Sequence, residues 1–465
     1  MAVTNQEFLQ LGERPVGALL WQYALPAIIA MAASSVYNII DGIFIGQGVG
    51  PEAIMGLALT SPVMSMTSAF GAMVGVGGST LMSVRLGQRD YRTAQDILDN
   101  VLFLNVVMGL GLGLILQVFL EPILRYFGAS DVTLGPAYDF MTVILLGNVI
   151  THLYLGMSAL LRSTNRPRQA MIATIGTVVC NCLLAPIFIF VFRWGIRGAA
   201  AATVTSQLIM LCWQFRLFSD QQNLVHLHRG KPRLSLRIIK KALVVGLPQF
   251  LINLCACLVT ILMTRSLTHF GSITDVGGDI AVGGYGISNR LVLFIFMVII
   301  GLNQGMQPIA GYNFGAKKYD RLLRVLKLTL VAAFLFTTVG WAISLLFTEP
   351  LVTLFAKDSP ELITHGVKSL RINVAIFPLV SIQVIAVAFF QSIGYAGMSI
   401  FHSLTRQLLF LVPLILLLPH LFSDPVIGVL AALPISDAMA FLLAVAMLIW
   451  QVRKFKKEMK RSNQS

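Results

Sequence analysis

Twelve stretches of this chain are long and apolar enough to cross a bilayer as helices, and that succession limits the fold more than any other feature of the sequence. A spanning helix needs about 20 largely apolar residues. Runs of this kind lie at about 17–45, 53–84, 97–120, 136–161, 169–192, 196–217, 240–268, 280–310, 322–347, 366–392, 400–421 and 426–452. Several exceed the minimum, which allows tilt or protruding ends without fixing an angle. Composition agrees, with 56% of residues hydrophobic and 12% charged, where a soluble domain carries roughly 25% charged residues. The expected fold class is an all-α integral membrane protein.

The formal charge of +14 is compatible with nucleic acid as a partner, so the placement of the basic residues decides its meaning. Arg85, Arg89 and Arg92 follow the second run, and Arg162, Arg166 and Arg168 follow the fourth. The long connection after the sixth run carries Arg229, Lys231, Arg233, Arg237, Lys240 and Lys241. Lys317, Lys318, Arg321 and Arg324 follow the eighth run, Arg406 the tenth, and RKFKKEMKR the twelfth. Alternate connections are poor in them: 46–52 has none, and 348–365 has only Lys357. By the positive-inside rule both termini face the cytoplasm. Membrane lipid is the expected partner, with no nucleic acid. MAVTNQEFLQLGERPVG has no basic n-region and no cleavage site after a short apolar core, so the first run is expected to be retained. Cys180, Cys182, Cys212, Cys255 and Cys257 all fall inside apolar runs without further metal-ligand spacing, as packing residues do.

The two halves repeat one another. At an offset of 228, Gly77 matches Gly305, Gly87 matches Gly315, Tyr91 matches Tyr319, Glu121-Pro122 matches Glu349-Pro350, and Phe127 matches Phe355. Pro26 and Pro248 also correspond, at an offset of 222. Six spans per half is an even number, so both halves insert the same way, as a parallel repeat about an axis along the membrane normal. The expected organisation is a cytoplasmic N-terminus at 1–16, an N-lobe at 17–217, a cytoplasmic linker at 218–239, a C-lobe at 240–452 and a basic tail at 453–465. Two such lobes around a central cleft, rocking against each other, are the plan of an alternating-access transporter.

Asp41 is the one carboxylate in the otherwise uncharged run VYNIIDGIFIGQG and its flanks. Acids at membrane depth are costly and serve ion or substrate pathways, although a position near the outer mouth with a simple hydrogen bond is the alternative. Tyr37 and Asn38 lie about one helical turn before it. Asn181 in the fifth run and Thr203 in the sixth offer further oxygens, so that Asp41, Asn181 and Thr203 are candidates for a Na+ site; protonation of Asp41 needs fewer partners. Helix–helix hydrogen bonding is the other reading of Asn181 and Thr203. Pro26 and Pro248 are candidate hinges. Asn38, Gln207, Gln307 and Asp437 are candidates for the substrate cavity, with pairing to an Arg such as Arg290 or Arg371 the alternative for Asp437. Glu121 and Glu349 read as helix-end punctuation, and His152 and His269 as packing or interface residues.

Jointly, the N-terminal ALPAI, VYNIIDGIFIG, LLRSTNRPRQAM after the fourth run, CNCLLAPIFIF and GIRGAAAATVTSQ resemble the multidrug and toxic compound extrusion (MATE) transporters over residues 15–452. The closest resemblance is to the prokaryotic branch with its key acid in the first helix. It implies twelve transmembrane helices in two six-helix lobes and export of organic cations, including drugs, by H+ or Na+ antiport. It also implies cation coupling through Asp41, Tyr37, Asn181 and Thr203. That family often has a second acid one turn beyond the fifth-helix Asn; this chain has Ala185 there, which favours a proton over Na+. The C-terminal half has Met263 opposite Asp41.

No phosphate-binding loop, catalytic cluster or metal-ligand cluster is legible, so neither an enzyme nor a primary pump is expected, and no cofactor beyond the coupling ion. A monomer is expected. The rival readings are a lipid-linked saccharide flippase of the same superfamily, which would line its cleft with several Arg or Lys, and a membrane channel or receptor.

Overall fold

The structure, a computed structural model, describes residues 11–227, 233–356 and 359–462. Arg229, Lys231 and Lys357 lie outside the described residues, as does the side chain of Asn38. The described residues form helices and turns with no strand among them. In chain order they are α1 Val16–Gly48, α2 Pro51–Gly87, α3 Tyr91–Val118, α4 Leu120–Tyr126, α5 Asp131–Leu146, α6 Asn148–Ser163, α7 Pro167–Pro186, α8 Gly195–Phe218 and α9 Leu236–Ser272. There follow α10 Gly278–Gly315, α11 Tyr319–Leu346, α12 Thr348–Thr353, α13 Pro360–Asn373, α14 Phe377–Ser392, α15 Ala396–Leu404, α16 Val412–Leu417 and α17 Pro425–Ser462.

Among the described residues nine helical segments are long and apolar enough to cross a membrane, and two bent pairs bring the number to eleven. The pairs are α5 with α6, bent by 56°, and α13 with α14, bent by 53°. They correspond to the fourth and tenth expected spans. The sixth corresponds to α8, whose 24 residues are long enough but include Arg197, Gln207 and several hydroxyl side chains that lower its hydropathy. The fold is thus the all-helical membrane architecture that the apolar runs imply.

Element boundaries carry the repeat. The first residues of α3 and α11, Tyr91 and Tyr319, are 228 apart, as are the last residues of α2 and α10, Gly87 and Gly315. The short helices α4 and α12, and the two bent pairs, fall at equivalent places. Local chemistry explains several of these ends. Pro51, Pro167, Pro360 and Pro425 open their helices, where a missing N–H costs nothing. Asp90 caps α3 by accepting from the Thr93 N–H at 3.1 Å and faces Arg85 at 3.4 Å. Burial raises its pKa, but the Thr93 bonds and Arg85 together hold the carboxyl below the usual range. Ser130 and Thr133 form a reciprocal capping box at α5.

The chain divides into two compact units, Met1–Phe250 with Gly311–Lys318, and Leu251–Ala310 with Tyr319–Ser465. In the first, Leu120, Leu124, Phe140 and Met141 form a core with the small residues Ala185, Ala199, Ala200 and Ala202. In the second, one cluster gathers Met263, Leu267, Ile415 and Val429, and another gathers Val352, Leu370, Val374 and Phe377. Large apolar side chains such as Leu114, Val118, Leu146, Leu183 and Leu442 are exposed, as lipid-facing residues must be.

The connection between the repeats is tied down where it is described. Gln95 donates to the His226 carbonyl at 2.6 Å and accepts from the His226 N–H at 3.0 Å. Asn100 makes the same two-way bond, donating to the Arg233 carbonyl at 2.8 Å and accepting from the Ser235 N–H at 2.8 Å. Buried Arg166 reaches the Leu217 carbonyl at 3.1 Å and the Asn223 side chain. Two buried amides of α3 thus complete the backbone hydrogen bonding of a segment that has no helix of its own.

Inside the first unit, α2 meets the end of α10 at the matched glycines. A Cβ on Gly87 would run into the Tyr312 carbonyl, and one on Gly315 into the Val84 carbonyl. Residues 84 and 312, like 87 and 315, are 228 apart, so the contact is symmetric in the repeat. Backbone atoms cannot move aside as a flexible side chain can. Gly87→Ala is therefore expected to destabilise the detergent-solubilised protein by roughly 1–3 kcal/mol, read as a lower thermal midpoint. Gly286→Ala, where a Cβ meets nothing within 4 Å, should leave the midpoint unchanged or raise it.

Candidate functional site

Tyr37 and Asp41 are four residues apart on α1, hence on one face. Helix α7 packs against both α1 and α8, and small residues bring the three helices close. A Cβ on Gly198 would strike the Phe188 carbonyl, and Ala199, Ala200 and Ala202 are fully buried. This approach brings Thr203 of α8 to buried Asn181 of α7.

The three polar groups close a triangle. Tyr37 OH and Thr203 Oγ1 are 3.0 Å apart. The Asn181 amide donates to Thr203 Oγ1 at 3.0 Å and to the Tyr37 oxygen at 3.4 Å. Thr203 also donates to the Ala199 carbonyl at 3.2 Å, so in this arrangement Tyr37 donates to Thr203. Asp41 stands one turn beyond Tyr37, close enough for its charge to be felt by Tyr37 and by Cys182. Its Oδ1 is buried and has no hydrogen-bond partner among the described residues. An ionised carboxylate desolvated in this way, with one oxygen unsatisfied, is costly. Uptake of a proton or a metal cation relieves that cost.

Of the cation-coupling candidates, the structure therefore joins Tyr37, Asn181 and Thr203 directly and leaves Asp41 beside them rather than bonded into the triangle. Ala185 is fully buried in the apolar cluster that also holds Ile45 and Ile189, so the position lacking the second acid is filled by packing. Pro26 and Pro248 both lie inside continuous helices, α1 and α9. His152 bonds the Thr67 carbonyl at 3.1 Å through Nε2 and covers Gly71, tying α6 to α2.

The cavity candidates separate. Gln207 accepts from Thr151 at 2.5 Å, which joins α8 to α6. Gln307 is half-buried on α10. Asp437 accepts from Arg406 Nε at 2.6 Å and from Gln383 at 3.2 Å. Its partner is thus Arg406, in place of the Arg290 or Arg371 expected from the sequence. Arg406 also does not sit in a cytoplasmic connection: it belongs to a π-helical turn, Thr405–Leu411, within the apolar segment Ala396–His420. There its charge needs a carboxylate. Gln207 and Asp437 each stand twelve residues past the start of their helices, Gly195 and Pro425, so nearby positions of the two halves carry an amide and an acid. Among the described residues no group of three or more His, Cys, Asp or Glu side chains is placed to hold a metal ion.

A profile of the family described as MatE matches residues 26–187 and 248–417. The chain belongs to this family of membrane transporters, and it is not an enzyme. It is 24% identical over 441 residues to the multidrug export protein MepA of Staphylococcus haemolyticus (strain JCSC1435), covering 95% of each chain. To MepA of Staphylococcus aureus (strain NCTC 8325 / PS 47) it is 25% identical over 442 residues, again covering 95% of each. Among solved structures, the MATE multidrug transporter DinF-BH in complex with rhodamine 6G is 34% identical, with a TM-score of 0.86 over 96% of this chain and 97% of that one. A MATE family transporter of the MOP superfamily in an outward-facing conformation has a TM-score of 0.90 at 23% identity, over 98% of this chain and 99% of the other.

The Arg406–Asp437 pair gives a stability test. Removing one partner strands a partly buried charge, so Arg406→Gln or Asp437→Asn alone should cost roughly 3 kcal/mol. The double variant should recover much of that loss in thermal midpoint. Additive losses would mean that the two groups do not interact.

Proposed function

We propose that this transporter is a secondary-active multidrug exporter that expels organic, mostly cationic compounds in exchange for a proton carried on Asp41. The observation that carries the reading is the buried Asp41 Oδ1, which has no hydrogen-bond donor among the described residues although three polar side chains cluster one turn away. A group that is costly when ionised and needs no further ligand when neutral is suited to alternate between the two states. Na+ would need several oxygens, yet the Tyr37 and Thr203 hydroxyls are engaged with one another and with Asn181. The multidrug export relatives and the dye complex of DinF-BH support a broad substrate range.

Protonation of Asp41 from outside favours one conformation and substrate binding from inside favours the other, so the two ligands exchange through a shared equilibrium. The duplicated six-span halves supply the moving parts, with both termini cytoplasmic in a bacterial or archaeal inner membrane. Pro26 and Pro248 serve as hinges. The protein works as a monomer in lipid, without a cofactor, and Asp437, held by Arg406, takes no part in proton exchange.

In proteoliposomes, a pH gradient alone is expected to drive export of rhodamine 6G. Asp41→Asn should reduce this to the level of empty vesicles while dye binding and thermal midpoint are retained. Export driven by a Na+ gradient alone would contradict proton coupling, and gradient-driven export by Asp41→Asn would remove Asp41 from the mechanism.

A further inference from the structure

Where α7 begins and α8 ends, at the membrane face that the charge rule assigns to the cytoplasm, the first unit holds a cavity of about 360 Å³. Arg166, Trp213, Arg216, Leu217 and Asp220 line it. It is separate from the coupling site, because Arg216 stands thirteen residues past Thr203 on α8, a rise of about 20 Å. One wall is fixed. Buried Arg166 donates to the Leu217 carbonyl at 3.1 Å and to the Asn223 side chain, and Asn223 donates to the same carbonyl at 2.9 Å. These acceptors are neutral, so the bonds orient the charge of Arg166 without cancelling it.

The rest of the lining faces outward. Arg216 and Asp220 are exposed, and neither belongs to an ion pair among the described residues. Asp220 accepts from the Gln222 N–H through Oδ1 at 3.0 Å, and its carboxylate has a second oxygen to offer. Ile209, Cys212, Trp213 and Arg216 follow at i, i+3, i+4 and i+7, on one face of α8. Ile209 and Cys212 are exposed. A lipid-facing stripe thus ends at an indole, the ring that favours the membrane interface, and then at a guanidinium.

We propose that this cavity holds the headgroup of an anionic glycerophospholipid, phosphatidylglycerol, with an acyl chain lying along the stripe from Trp213 to Ile209. Two arginines against one aspartate leave one uncompensated positive charge, which a single phosphodiester balances. A guanidinium matches phosphate oxygens in geometry as well as charge. Basic pockets between spanning helices on the cytoplasmic side suit such headgroups. Asp220 repels the phosphate itself, so the fitting lipid extends beyond the phosphate to hydrogen-bond donors that carry no charge. The two hydroxyls of a terminal glycerol do this by donating to Asp220. A zwitterionic headgroup brings its own ammonium and leaves the excess charge of the cavity unbalanced. An organic cation is disfavoured by the same excess, which distinguishes this site from one for exported substrate. Arg166 ties the segment before α7 to the last turn of α8, so a lipid held here braces the two helices that carry Asn181 and Thr203.

The test is native mass spectrometry of the delipidated full-length protein in detergent. It is titrated with phosphatidylglycerol, phosphatidylethanolamine or phosphatidylethanol, the last having the same phosphodiester charge but no hydroxyl. The parent should hold one phosphatidylglycerol roughly tenfold more tightly than either of the others. Arg216→Gln should weaken that binding by roughly tenfold or more. Arg92→Gln, which removes an exposed arginine at the same end but outside the cavity, should leave it unchanged. Asp220→Ala should erase the preference for phosphatidylglycerol over phosphatidylethanol. Unchanged binding by Arg216→Gln would remove the lipid from the cavity, and equal losses in Arg216→Gln and Arg92→Gln would reduce the effect to attraction by a basic surface. Equal binding of the three lipids, or a preference for phosphatidylethanolamine, would overturn the headgroup assignment. Displacement of the lipid by glycerol 1-phosphate at equal concentration would make this a site for soluble phosphate and overturn the proposal.

Discussion

A carboxylate with one buried oxygen that no donor among the described residues reaches is the constraint on which the rest of the structure depends. Burying an isolated ionised acid is unfavourable, so acids at membrane depth are rare and usually pair with another group or line an ion or substrate path. The surroundings of Asp41 maintain that constraint. Tyr37, Asn181 and Thr203 satisfy one another, and the fully buried Ala185 adds neither a second charge nor a hydrogen bond. Gly198 of α8 meets the Phe188 backbone in the turn that follows α7, and the buried Ala199, Ala200 and Ala202 keep the two helices packed beside the triangle.

The two repeats treat buried charge differently. In the first, Asp41 has no partner at Oδ1 among the described residues; in the second, its counterpart by the paired prolines is Met263, fully buried in an apolar cluster. The acid of the second repeat, Asp437, is engaged by Arg406 and Gln383. One half thus has an acid without a hydrogen-bond donor at Oδ1 among the described residues, and the other has its acid paired with an arginine. Duplication of a six-helix unit, followed by loss of symmetry at these positions, accounts for a protein whose boundaries around α3 and α11 still match at an offset of 228 while its polar sites do not.

Much of this is legible in the sequence, because the features that define it are local or periodic. Span lengths, the repeat and the alignment of Tyr37 with Asp41 all follow from spacing along one helix. The union of Tyr37 with Asn181 and Thr203 comes from family resemblance, since no spacing argument brings three helices to one point. Arg406 misleads because a basic residue near the start of an apolar run looks like a topology signal; only the π-helical turn and the approach of α17 turn it toward Asp437. The amide bonds from Gln95 and Asn100 to the connecting segment are equally invisible in the sequence, because a polar side chain near a helix end is usually solvated.

The most direct measurement of the central claim is the proton itself. Rhodamine 6G added to the purified protein in weakly buffered detergent solution should release protons as it binds, read by a pH indicator. Asp41→Asn should bind the dye and release none. Equal release by parent and variant, or dye binding by the parent with no release at any pH, would contradict an account in which Asp41 exchanges its proton for the substrate.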